Sequence, residues 1–151
     1  QKFALIDMEY IMENIPAYQK ANNELELASQ QYQKAIEAKM KEAETLYTAY
    51  QKASATLSAS QRTQKEEAII AKEKEAAELR QRYFGPEGEM AKKEEALITP
   101  IQNKIYEAVK QISQQRGYDA VIDRASATSV IFASPRIDIS NEVLSKLGYS
   151  N

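Results

Sequence analysis

The stretch YFGPEGEM, residues 83–90, decides how the rest of the chain reads. The chain holds only four glycines and four prolines, and two of the glycines and one of the prolines fall here. On either side run segments rich in Ala, Glu, Lys and Gln, which are strong helix formers. The apolar spacing separates a reversal from a bend. Ile69, Ala76, Leu79 and Tyr83 form a stripe before the break, and Met90, Leu97, Ile101, Ile105, Ala108 and Ile112 form one after it. Tyr83 and Met90 are seven apart, so the stripe keeps its phase, which a reversal has no reason to do. The spacing therefore predicts a stop and restart in one direction, a joint over residues 84–89. Gly85 ends one helix, Pro86 opens the next, and Glu87 and Glu89 sit where the helix dipole favours acids. Gly85, Pro86 and Gly88 are the expected hinge, the glycines supplying backbone freedom and the proline breaking the hydrogen-bond ladder. No cationic or metal-binding cluster accompanies the stretch, which argues against a ligand loop. Thr99 and Pro100 predict a gentler second restart, with Thr99 capping and Gln102 completing a capping box.

Upstream, no Gly or Pro occurs from Ala17 to Leu57. A helix of that span runs roughly 60 Å, too long for a compact domain to cover unless a partner helix packs along it. Tyr18, Ala21, Leu25, Ala28 and Tyr32 follow 3-4 spacing. The pattern slips by one at Ile36 and Met40, then resumes through Ala43, Tyr47, Tyr50, Ser54 and Leu57, a heptad seam with one stutter. The partner is the return stripe. Ser58–Gln64, polar with capping hydroxyls, places the hairpin tip near residues 58–62. The arm thus covers 17–116. Mixed-charge runs such as AKEKEAAELRQR (71–82) read as solvated faces with i,i+4 pairs.

The ends differ. Lys2–Asp7 reads as a strand, followed by one helical turn that stops before Pro16. After Gly117, Asp119–Asp123 and Ser129–Ala133 read as two strands of a hairpin, and Asp138–Leu147 as a short helix closed by Gly148. Residues 1–16 and 117–151 are the expected β body. Three short strands cannot close a barrel and leave apolar edges open. The simplest solution is a homo-oligomer sharing one β core, with Leu5, Ile6, Val121, Ile122, Val130, Ile131 and Phe132 as interface candidates.

Composition narrows the function classes. The chain has no Cys and no His, which removes disulfides, thiolate sites, the commonest metal ligand and the side chain that titrates nearest neutrality. A net charge of −2 argues against nucleic acid as the main partner. No apolar run approaches the roughly 20 residues of a membrane helix. No signal peptide is visible, and a start at Gln1 without Met suggests a processed or trimmed chain. Asp7, Glu9, Asp119 and Asp123 can gather near the strand ends, but with no nucleophile motif or phosphate loop they read as capping or solvated carboxylates. No enzyme, cofactor or metal is expected.

The whole chain resembles the Skp/OmpH family of periplasmic chaperones. The likeness is carried by KFALIDMEYIMENIPAYQKA (2–21), PIQNKIYEAVKQISQQRGYDAVIDRA (100–125) and IDISNEVLSKLG (137–148), and the FGPEGEM stretch fits a jointed return helix. The resemblance implies a mainly α protein: long coiled-coil hairpin arms projecting from a small β-barrel body shared by a homotrimer. It implies an ATP-independent holdase for unfolded outer-membrane proteins in the periplasm. The chain departs from the family's strongly basic members, with 20 Lys and Arg against 22 Asp and Glu, so no lipopolysaccharide contact is carried over.

For client binding the candidates are Tyr18, Leu25, Leu27, Tyr32, Ile36, Leu46, Tyr47, Tyr50, Ile70 and Phe84, some of which must belong to the seam instead. The alternative is a coiled-coil spacer or adaptor gripping a folded partner. A prefoldin-like holdase is disfavoured, because there the strands lie between the helices in sequence and here they lie outside them.

Overall fold

A computed structural model of the chain describes residues 2–149. The order is β1 (Phe3–Ile6), α1 (Met8–Glu13), α2 (Pro16–Ala53), a 3-10 turn (Ser54–Thr56), α3 (Ala59–Phe84), α4 (Glu89–Arg116), β2 (Ala120–Asp123), a 3-10 turn (Pro135–Ile137) and α5 (Ser140–Lys146). The chain falls into two compact units: Glu24–Glu94, and the two ends, up to Asn23 and from Glu95.

In the unit formed by the ends, β1 and β2 pair in parallel, with Phe3 opposite Ala120, Ala4 opposite Val121, Leu5 opposite Ile122 and Ile6 opposite Asp123. The other edge of β1 carries a single bridge, Leu5 to Asp138, where the Ile139 amide donates to the Leu5 carbonyl at 2.9 Å. Ala4 and Ile6 point into a core with Met8, Ile11, Met12 and Ile15, closed by Ile105, Ala108 and Ile112 of α4 and by Ile139, Val143 and Leu144. The i, i+3, i+7 spacing on α4 supplies that apolar face. Because α4 contributes three core residues, the compact unit takes in the base of the helices as well as the expected body. Gly117 and Gly148 have φ of 72° and 93° and end α4 and α5, a conformation only glycine adopts without strain.

The carboxylates near the strand ends are engaged by backbone. Asp7 caps α1 by accepting from the Tyr10 amide, Asp119 accepts from the Lys2 amide, and Asp123 accepts from the Met8 and Ala125 amides.

The expected β-hairpin does not form within the chain. Ser129–Ala133 makes no strand and no ladder; β1 and β2 are the strands of the described residues. The chain leaves β2 through turns, with the Ser126 and Ala127 amides donating to the Asp123 carbonyl and the Val130 amide to that of Ala127. The segment therefore does not run back along the open edge of β2, and Ile131 is 100% exposed and Phe132 83% exposed.

In the other unit α2 and α3 run antiparallel. Ser58 caps α3 with a reciprocal capping box to Gln61, so the reversal lies at Ser54–Ser58 and residues 59–62 are already helix, a few residues earlier than expected. The seam holds Ala28, Ile36 and Ala43 against Ile69 and Ala76. Ala28 to Ile36 is eight residues and Ile36 to Ala43 is seven, so the stutter falls where the sequence puts it.

Three expectations about α4 and its entry are corrected. Pro86 lies in the turn between α3 and α4 and does not open the next helix, which begins at Glu89. Pro100 lies inside a continuous α4 and does not restart a helix; it simply leaves the Ala96 carbonyl without its N–H partner. At the joint neither Gly85 nor Gly88 has a positive φ. These positions are glycine because the backbone approaches too closely: a Cβ on Gly85 would lie 2.3 Å from the Gln81 carbonyl oxygen, and one on Gly88 would lie 2.7 Å from that of Arg82.

Candidate client-binding face

The Glu24–Glu94 unit carries two features that the stripe alone does not show. The first is a ring of four charges in the middle of the hairpin. Lys39 lies 3.2 Å from Glu75 across the hairpin and 3.6 Å from Glu42, and Lys72 lies 3.1 Å from Glu42 and 3.5 Å from Glu75. Lys39 and Lys72 occupy seam positions beside Ile36 and Ile69, so these charges are not the freely solvated faces the sequence suggests. The bond from Lys72 holds the Glu42 carboxyl below its usual range, and that from Lys39 does the same for Glu75; the bond to Glu42 raises Lys72.

Because Lys39 takes the seam position after Ile36, the neighbouring Met40 is turned out and is 50% exposed. The same rotation turns out Tyr47, seven residues on and also 50% exposed, while Leu46 is half-buried. Met40 and Tyr47, placed in the seam by the spacing, thus face outward, as the candidacy of Tyr47 for client binding requires, while the candidate Leu46 turns toward the seam. The cause is local: the stutter shifts the seam by one residue, and the sequence reading carried the shift one residue too far.

The second feature is a groove along the exposed side of this hairpin. One lobe, of about 550 Å³, is lined by Met40, Ala43, Tyr47, Ala76 and Ala77, with Glu37, Lys41, Glu44, Glu73 and Arg80 at its margins. A second lobe, of about 420 Å³, is lined by Gln33, Ile36 and Phe84 and shares Glu37, Met40 and Arg80 with the first. Alanines at 43, 76 and 77 make the floor, because a methyl side chain leaves room between the helices. Arg80 lies 3.6 Å from the Met40 sulfur. At one end Tyr32 stacks on Tyr83 with ring centres 4.1 Å apart and planes at 10°, and Phe84 packs edge-on to Tyr32 at 6.3 Å.

The sequence-derived candidates divide accordingly. Tyr47 and Phe84 line the groove, and Ile36 lines it from the seam, where it is 5% exposed. Ile70 is exposed and shares a helix face with Ala77, seven residues on. Leu27 is exposed but lies on a different face of α2 from Gln33 and Met40. Leu25 is half-buried. Tyr18 packs against the core of the other unit. Tyr50 donates a 2.6 Å hydrogen bond to Glu66 near the tip, which raises its phenol above the ordinary value. Met40, Arg80 and the three alanines were missed; the signal present was the density of alanines flanking the slip.

Of the interface candidates, Leu5 and Ile6 are buried within the chain, 3% and 4% exposed. Val121 and Val130 are half-buried, and Ile122, Ile131 and Phe132 are exposed. Among the described residues no cluster of acidic side chains is arranged to hold a metal, and no helix is long and apolar enough to cross a membrane.

The chain is similar to known proteins along nearly its whole length. It is 26% identical to the chaperone protein Skp of Yersinia enterocolitica over 146 residues, covering 97% of this chain and 85% of that one. It shares its fold with an OmpH-like protein from Caulobacter crescentus CB15 known from a crystal structure, with a TM-score of 0.74 at 14% identity over 96% of this chain and 82% of that one. Residues 2–147 match the family described as outer membrane protein (OmpH-like). The chain therefore belongs to the OmpH-like family.

Proposed function

We propose that the chain is an ATP-independent holdase that shields unfolded outer-membrane proteins in the periplasm, acting as a homotrimer joined through its β body. The observation that carries the reading is the groove on the hairpin: shallow, floored by alanine, edged by Met40, Tyr47 and Phe84, and rimmed by charges of both signs. Helices offer no free backbone groups for pairing, so such a surface grips an extended chain through side chains alone and weakly at each point. A barrel precursor exposes alternating apolar residues and needs shielding that can be reversed. Membership of the family and the named Skp relative support the same class of partner.

The trimer is supported by the unpaired Ser129–Ala133 segment. An exposed, strand-forming apolar run is an aggregation hazard unless another copy covers it. Ile122, Ile131 and Phe132 are the residues through which copies would meet.

Photo-crosslinkers placed at Tyr47 and Lys41 test the reading. With a urea-unfolded outer-membrane β-barrel protein diluted in, both positions should capture it, and a crosslinker at exposed Glu13 should not. Capture of a folded, stoichiometric partner with no capture of the unfolded one would favour a spacer or adaptor.

A further inference from the structure

We propose that this groove selects aromatic side chains of its client, and that Arg80 and Met40 make the selection. The inference rests on the holdase reading and adds to it the chemistry of what is held.

The two lobes meet at Glu37, Met40 and Arg80, which line both, and of these Met40 and Arg80 touch each other. Their contact across the hairpin at 3.6 Å sets a guanidinium and a thioether side by side where the two lobes join, at the edge of the alanine floor. Each has a particular affinity for rings: a guanidinium is attracted to the negative face of an aromatic, and a polarizable sulfur packs favourably against a ring edge. An aliphatic occupant gains neither. The ends of the groove point the same way. Phe84 retains an exposed face beside the Tyr32–Tyr83 stack, so an incoming ring would extend an aromatic array already in place, and Tyr47 offers a second ring at the far end. Arg80 has no carboxylate within ion-pair distance among the described residues, unlike Lys39 and Lys72, so its charge is not committed elsewhere on the hairpin. Aromatic residues are concentrated in girdles along outer-membrane strands, which gives an unfolded barrel protein a supply of the favoured groups.

The test uses the full chain and two extended peptides of equal length and charge, one with Tyr and Phe at alternate positions and one with Leu there. Fluorescence anisotropy should show the aromatic peptide binding about three- to tenfold tighter, the range expected of ring-specific contacts at a partly exposed site. In Arg80→Gln combined with Met40→Leu that ratio should fall toward one, while Arg80→Lys with Met40 intact should retain most of it. Both changes are at exposed positions, and unchanged helicity and melting confirm that the hairpin is intact. Equal affinities in the parent chain, or equal losses for both peptides in the double variant, would overturn the proposal. The holdase reading fails separately: it falls if the parent chain does not keep an unfolded outer-membrane protein in solution at all.

Discussion

Lys39 lies 3.2 Å from Glu75 on the opposite helix, and the matching pair Lys72 and Glu42 closes a ring of alternating charge in the hairpin seam. A polar layer at one point in an otherwise apolar seam fixes register, because any slip leaves the charges facing alkyl groups. Its stability contribution has two pH limits. The carboxyls of Glu42 and Glu75 are held below 4.5, so their contribution is present above that value and fades as the pH falls through the lowered folded one. Lys72 is raised above 10.5, so its contribution is full below that value and is lost as the pH rises through the raised one. Thermal melts at pH 7 and pH 3 should therefore differ more for the parent than for Glu75→Gln, and 1 M salt should narrow the difference by screening. Identical pH dependence in parent and variant would show the ring to be ornamental.

The joint makes a contrast between single and combined changes. Gly85→Ala places a methyl 2.3 Å from the Gln81 carbonyl oxygen and should cost about 1–3 kcal/mol as the backbone gives way. Changing Gly85, Pro86 and Gly88 together to Ala should do the opposite. The stripe keeps its phase from Tyr83 to Met90, so a continuous helix preserves the seam, and summed propensities favour it by roughly 3–5 kcal/mol. Spin labels at Lys74 and Lys93 should report a narrower distance distribution in the triple variant. An unchanged spread would mean that the interruption confers no flexibility.

In the body, Ile131→Asp separates assembly from folding. Ile131 is fully exposed in the single chain, so the change costs the protomer nothing, yet it places a charge in any shared core. Sedimentation should give a helical monomer from this variant and a trimer from the parent. A parent chain that sediments as a folded monomer at micromolar concentration would rule out the shared core.

Ile105→Ala tests the core that joins α4 to the strands. Ile105 is fully buried among Ile11, Ile139 and Val143, so truncation should cost about 2–5 kcal/mol by urea titration. Leu27→Ala, at an exposed position off the groove, should change stability by less than about 0.5 kcal/mol.

The sequence is most informative where a pattern repeats. The seven-residue interval from Tyr83 to Met90 carried the hairpin through its interruption, and the absence of Gly and Pro from Ala17 to Leu57 revealed α2. It is least informative where one residue shifts everything. At the stutter, whether Lys39 or Met40 takes the seam depends on the partner helix, where Glu75 is placed to receive the lysine, and that pairing is not visible in either helix alone. The groove follows from the same choice, which is why spacing alone does not mark Arg80 as part of it. Ser129–Ala133 was read as a strand on local propensity. Propensity does not fix where the chain goes after β2: turns onto the Asp123 and Ala127 carbonyls carry the segment away from the open edge of β2.

The most direct test of the chaperone reading is light scattering from a urea-unfolded outer-membrane β-barrel protein diluted into buffer with the chain and no nucleotide. Scattering should be suppressed at about one trimer per client. It should return in part when Met40, Tyr47 and Phe84 are changed together to Ser, with helicity retained. Undiminished aggregation in the presence of the parent chain would contradict the account.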